Sequence, residues 1–173
     1  MIFFLIILGI ILVITDQLIK IWAINDLKPV KVMDFIHIGD LDIMDLRYVQ
    51  NEGAAFSSFS GARWFLVCLV IVMLIGLTIF VVKYKYKHPF FMISAVMVMS
   101  GGIGNLIDRI RFGYVVDYLD VKLFNFAVFN FADICVVLGA IFLLIFLFAI
   151  EPRIIAKQNE ENKIEKVNPD EQI

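Results

Sequence analysis

Cysteine and histidine are scarce in this 173-residue chain, with two of each. Cys68 and Cys135 both lie in long apolar runs. A disulfide framework would put its cysteines in loops, so these two read as small hydrophobes, buried or facing lipid. His37 and His88 are far apart and have no Cys or His neighbour at zinc spacing. No metal and no cofactor is therefore expected. Charge is thin as well: 18% of residues are Asp, Glu, Lys or Arg, against about 25% in soluble domains. The net charge of −2 lacks the basic footprint of a nucleic-acid binder. No Lys or Arg precedes the first apolar run and no Ala-x-Ala site follows it. The N-terminus thus reads as a retained span, not a cleaved signal peptide.

What the chain has in excess is apolar surface. Hydrophobic residues make up 61% of it, with a mean hydropathy of +0.90. A water-soluble core of this size cannot hide that much, so lipid is the expected solvent. Crossing a hydrocarbon layer of about 30 Å takes roughly 20 helical residues. Four segments qualify: about Ile2–Ala23, Trp64–Val82, Pro89–Ile107 and Phe129–Ile150. Residues 1–150 are expected to form a single membrane-embedded domain, an all-α membrane fold of four helices. Between spans one and two, Asp34–Ile38 and Leu41–Leu46 suggest two strands, with Gly39-Asp40 as the hairpin turn. They predict a small β element at the membrane surface within about 25–50. Asn51-Glu52-Gly53-Ala54-Ala55-Phe56 is too rich in Gly and Ala for a strand. Residues 151–173 are a polar tail that cannot bury enough apolar surface to fold.

An even number of spans puts both termini on one side, together with the turn Lys83–His88. That side carries seven Lys and Arg and the other carries eight, so a raw count does not orient the chain. The density of Lys in the short turn favours that side as cytoplasmic.

Ionisable groups inside spans are costly and usually face protein or a water-filled cavity. Here they gather at one end. Asp16 and Lys20 close span one, one helical turn apart. Asn105, Asp108 and Arg109 close span three, Asp117 follows shortly after, and Asn130 and Asp133 open span four. Span two is uncharged. Arg109 offers a planar fork for carbonyls or carboxylates, and the small residues around Gly53 would let a substrate backbone approach. Asp117 and Asp133 alone have no Lys or Arg within a helical turn. A buried, unpaired carboxylate is disfavoured unless it is protonated or shares a proton. Two such carboxylates holding one proton can activate water with one member and polarise a carbonyl with the other. That chemistry requires no Ser, Cys or metal. A proton- or ion-coupled transporter using Asp16, Asp117 and Asp133 is the alternative. A relay should continue toward the opposite face, and the inner halves of spans two to four carry no charge.

Four blocks in order, Asp16-Gln17-Leu18-Ile19-Lys20, Asn51-Glu52-Gly53-Ala54-Ala55-Phe56-Ser57, Gly104–Arg109 continuing to Gly113-Tyr114-Val115-Val116-Asp117, and Phe129-Asn130-Phe131-Ala132-Asp133, resemble the lipoprotein signal peptidase (signal peptidase II) family. The resemblance covers most of the chain from Thr15 to Asp133. It implies a four-helix membrane fold with an extracytoplasmic β-cradle and a short surface helix or loop. It implies an aspartic endopeptidase with Asp117 and Asp133 as catalytic dyad, without cofactor. The implied substrates are prolipoproteins whose cysteine already carries diacylglycerol, cut just before that cysteine. Membrane lipids and globomycin-type inhibitors would be its other partners, and a monomer is expected. The implied setting is the bacterial cytoplasmic membrane, with both termini cytoplasmic and the site near the outer leaflet. By position, Asn105, Asp108, Arg109 and Asn130 match residues supporting the dyad and substrate. Asn51 and Gly53 match a facing loop, expected to close over the site as far as Gly61, and Asp16 and Lys20 the first-span pair. Two positions depart: Tyr118 stands where Phe is common, and Ile134 where a small hydroxyl residue often follows the second aspartate.

Overall fold

The computed structural model describes residues 1–39, 41–53, 62–84 and 88–167. Four helices within them are long and apolar enough to cross a membrane. The first, α1 (Ile2–Trp22), runs through a π-helical turn (Ala23–Leu27) into a short α2 (Lys28–Val30). The strands β1 (Val32–Ile38) and β2 (Leu41–Asn51) follow. Helices α3 (Arg63–Lys83) and α4 (Pro89–Phe112) come next, then β3 (Val115–Val121). Finally α5 (Phe131–Ile145) passes through a second π-helical turn (Phe146–Ile150) into α6 (Glu151–Val167).

The two π turns have the same sequence cause. Pro29 and Pro152 each fall two residues after such a turn. A helical proline lacks the N–H and crowds the carbonyl four residues back, here that of Asn25 or Phe148. Widening the preceding turn absorbs both defects without ending the helix. Helix α4 begins on proline at its first position, where the missing N–H costs nothing, capped by His88 Nδ1 accepting from Phe90 N–H at 3.2 Å. It ends on Gly113 at φ +89°, the left-handed conformation that suits glycine.

The three strands form one antiparallel sheet in the order β1-β2-β3. The two sequence-predicted strands are present and longer than expected. Register shifts interrupt the pairing on both sides of β2, opposite Ile36 of β1 and between Leu46 and Val49 toward β3. Strand β3 was not expected. Its first four residues are all buried, so it shows no period-2 pattern to read. Beneath the sheet, Ala23 and Leu27 of the π turn pack against Leu46, Val116 and Tyr118. That cluster fixes the sheet to the end of α1.

Two expectations need correction. Span four does not start at Phe129: Phe129 bridges Leu119 as an isolated β pair, and the helix opens at Phe131 with Asn130 as its cap. The polar segment after Ile150 is helical to Val167. It extends a helix already nucleated by α5, so it avoids the cost of a first turn. Its Glu, Lys, Gln and Ala residues are good helix formers. Cys68 is exposed on α3 and Cys135 is buried, and both are free.

Close approach of α4 to α1 and α5 depends on two glycines. A Cβ at Gly101 would strike the Ala132 carbonyl oxygen, and one at Gly104 would lie 2.5 Å from Asp16 Oδ2. Only a residue without a side chain lets these backbones meet at the level of the buried carboxylates.

Candidate active site

The end of α1, the end of α4, the start of α5 and the sheet meet at one end of the bundle. Every charged or amide residue singled out in the sequence lies in that junction. Asp16, Lys20, Asp108, Asp117 and Asn130 are each at most 2% exposed.

At the base of the site sits a caged ammonium. Lys20 Nζ lies 2.9 Å from Asp16 Oδ2, 3.1 Å from Asp108 Oδ2 and 2.8 Å from Asn105 Oδ1. All three of its donors are thereby engaged. The two carboxylates have further duties. Asp16 Oδ1 accepts from the Ala132 N–H of α5 at 3.1 Å. Asp108 Oδ2 accepts from the Val116 N–H of β3 at 3.1 Å. The Asp16–Lys20 pair is thus more than a local i,i+4 contact, since it ties three elements together. Gln17, given no role by the sequence reading, stitches the same cluster. Its Nε2 lies 3.1 Å from Asp16 Oδ2, 3.2 Å from Gly104 O and 3.2 Å from Asp108 Oδ1.

Above the cage, the start of α5 is fully capped. A helix leaves its first N–H groups without partners. Here Asn130 N–H donates to Asp133 Oδ2, Phe131 N–H to the Tyr118 hydroxyl, Ala132 N–H to Asp16 and Asp133 N–H to Asn130 Oδ1. Asn130 and Asp133 form a reciprocal capping box. The signal is legible as Asn-x-x-Asp at a span start. The Tyr118 contribution was not: its hydroxyl, an oddity in the sequence, reaches an N–H across the strand.

Asp117 and Asp133 complete the site. Asp117 Oδ1 accepts from Asn130 Nδ2 at 2.6 Å and Oδ2 from Asn51 Nδ2 at 2.8 Å. Asp133 Oδ1 accepts from Asn105 Nδ2 at 2.7 Å and Oδ2 from the Asn130 N–H at 3.1 Å. Every carboxylate oxygen therefore has a neutral donor, and Asn130 serves both residues. Burial pushes the Asp117 carboxyl up to about 7, and the neighbouring Asp133 charge adds to the rise. Hydrogen bonds from Asn51 and Asn130 oppose it.

Arg109 reaches across to the β2 end, where its Nη2 donates to Gly53 O at 2.9 Å. Gly53 N–H in turn donates to Asn51 Oδ1 at 3.0 Å. The buried Arg109 Nε has no partner among the described residues. Asn51, Asn105, Arg109, Asp117 and Asp133 all line one cavity of about 600 Å³. Its remaining wall is apolar, from Phe126 to Phe129 and along Ile134, Val137 and Leu138 of α5. Ile134, the second departure, is part of that apolar wall. Of the expected closing loop, 51–61, residues 54–61 lie outside the described residues.

The family model described as signal peptidase (SPase) II matches residues 8–149. Among curated relatives, the lipoprotein signal peptidase of Clostridium acetobutylicum is 38% identical over 138 residues, covering 78% of this chain and 87% of the relative. That of Streptococcus pyogenes serotype M1 is 40% identical over 143 residues, covering 80% of this chain and 89% of the relative. A solved bacterial membrane enzyme aligns at a TM-score of 0.72 with 28% identity, over 83% of this chain and 86% of that one. With a family match over most of its length and the same fold as a solved membrane enzyme, this multi-pass chain belongs to the signal peptidase II family of membrane peptidases.

Proposed function

We propose that the protein is an aspartic endopeptidase of the bacterial cytoplasmic membrane. It removes the signal peptide from diacylglyceryl-modified prolipoproteins by cleaving before the lipidated cysteine. The observation that carries this reading is the pair Asp117 and Asp133, lining one cavity and linked by a single amide, Asn130.

The two carboxyl groups are built for different roles. Asp133 occupies the third position of α5, where the helix N-terminus favours an anion. Its Oδ1 is held by Asn105, whose own carbonyl oxygen faces the Lys20 ammonium. Asp117 sits on a strand without a helix terminus, buried, and retains a proton to near neutral pH. Asp133 therefore acts as base and takes a proton from the attacking water. Asp117 donates its proton to the scissile carbonyl oxygen, and a tetrahedral gem-diol forms. Collapse breaks the C–N bond as the amine of the lipidated cysteine receives a proton from Asp133 and a gem-diol hydroxyl returns its proton to Asp117, which restores the dyad. Arg109, with its unpartnered Nε, is placed to hold a substrate carbonyl. The apolar wall along α5 suits the substrate's acyl chains or apolar signal-peptide residues.

In this reading both termini are cytoplasmic and the site lies near the outer leaflet, where a lipidated cysteine presents its peptide bond. The enzyme works as a monomer, and globomycin-type inhibitors occupy the same cavity. The test is a gel-shift assay on a lipidated precursor with purified protein. Asp117→Asn and Asp133→Asn each insert normally and abolish processing. Normal turnover by either variant refutes the dyad.

A further inference from the structure

Outside the catalytic cavity the molecule carries a second pocket, a groove of about 590 Å³ lined by Lys28, Lys31, Val32, Arg47, Tyr48 and Gln50. Three of its six residues are cations. Arg47 is balanced by Asp120 at 3.1 Å. Lys28 and Lys31 have no carboxylate partner among the described residues, so the groove holds two uncompensated positive charges. Tyr48 and Gln50 add neutral polar groups beside them, joined by Gln50 Nε2 donating to the Tyr48 hydroxyl at 3.2 Å.

Two further features are unusual. Lys31 is the one non-glycine residue with positive φ among the described residues, at φ +67° and ψ −46°. That is the rare and strained γ-turn region, and such strain often marks functional positions. It lies where the chain turns from α2 into the edge strand β1. Second, the groove lies at the end of the bundle that carries three cation–aromatic pairs. Lys28 lies over the Tyr48 ring at 5.6 Å, Arg63 over Trp64 at 5.0 Å and Arg111 over Phe112 at 4.9 Å. All three pairs fall at the same end of the bundle: beyond α1, at the start of α3 and at the end of α4. Basic and aromatic side chains concentrate where a bilayer meets water. From Ile2 to Trp22, α1 alone rises about 30 Å, one hydrocarbon thickness. A hydrocarbon layer that begins at Ile2 would end before Lys28 and leave it facing the phospholipid phosphates.

We infer that this groove binds the phosphate of an anionic phospholipid. The ammonium groups of Lys28 and Lys31 pair with the phosphate oxygens as charge-assisted hydrogen bonds. Gln50 and Tyr48 face the polar head. Leu18 and Ile21, exposed on the helix α1 that leads into Lys28, offer apolar surface to the acyl chains. The head group is thereby held at one corner of the sheet, separate from the catalytic cavity, with which it shares no lining residue.

The experiment uses the full chain in nanodiscs of phosphatidylcholine with a minor fraction of phosphatidylglycerol. Retained lipids are counted by native mass spectrometry after release. Wild-type protein keeps at least one phosphatidylglycerol, and millimolar inorganic phosphate does not displace it. The double variant Lys28→Gln/Lys31→Gln loses it, with at least a tenfold drop in the retained fraction. Lys28→Arg/Lys31→Arg keeps it, which separates charge from folding. Equal retention by the double glutamine variant overturns the inference. So does displacement of the lipid by inorganic phosphate, since the groove would then be a free-anion site.

Discussion

Asn130 offers the sharpest test of how the site is built, because one side chain performs two separable tasks. Its Oδ1 caps α5 by accepting from Asp133 N–H at 3.0 Å, and its Nδ2 donates to Asp117 Oδ1 at 2.6 Å. Serine at this position can still cap, but it cannot reach Asp117 with an amide. Alanine does neither. Losing a hydrogen bond to a charged or reacting carboxyl costs about 1.5–3 kcal/mol. At about 1.4 kcal/mol per decade, both Asn130→Ser and Asn130→Ala should lower kcat/KM roughly 10- to 150-fold. Losing the cap costs a further 0.5–2 kcal/mol, or so, and only in the alanine variant. For a chain of this size that is a fall of about 1–8 °C in midpoint below Asn130→Ser. Initial-rate gel-shift assays on a lipidated precursor and thermal unfolding in the same detergent measure the two tasks. A fully active Asn130→Ser would show that the amide does not serve Asp117. Equal midpoints for the serine and alanine variants would refute the capping role.

The raised Asp117 carboxyl, about 7 against its ordinary 3.8, makes two pH predictions. In the proposed mechanism Asp117 is the acid and must hold its proton, so kcat/KM should fall on an alkaline limb near pH 7, and Asn51→Leu, which removes a bond that lowers this value, should move that limb upward. For stability, the folded chain keeps a proton that the unfolded chain has already released. This contribution is full below about 3.8 and lost as pH rises through about 7; the midpoint of wild-type protein should drop across that window, and Asp117→Asn should flatten the drop. Lys20→Met leaves Asp16 and Asp108 buried without their cation, a loss of about 3–5 kcal/mol, read as a midpoint fall that Asp108→Asn added to it partly restores. Tyr118→Phe strips the acceptor from Phe131 N–H, so it should destabilise by about 1 kcal/mol without changing KM; an unchanged midpoint would show that the hydroxyl contributes nothing to the cap.

The sequence by itself determined the solvent, the four spans and the end of the bundle where the polar residues lie. These follow from composition and one-dimensional spacing, because a charge within an apolar run must be hidden wherever the run crosses lipid. It also isolated Asp117 and Asp133, since local partners, present or absent, can be read within a helical turn. It did not show β3, whose first four residues are all buried and carry no alternation. Nor did it show the helical tail, which needed the preceding span as nucleus. The partners of each carboxyl group were decided only in three dimensions. Asp16 meets Ala132 across 116 residues, Asn51 meets Asp117 across 66, and Lys20 meets Asn105 across 85. Such contacts depend on glycines that let α4 close against α1 and α5, and on a sheet fixed to the end of α1. The charges in and beside the apolar spans were thus visible in the sequence. That they form one cage beneath one pair of carboxyl groups is a property of the packing.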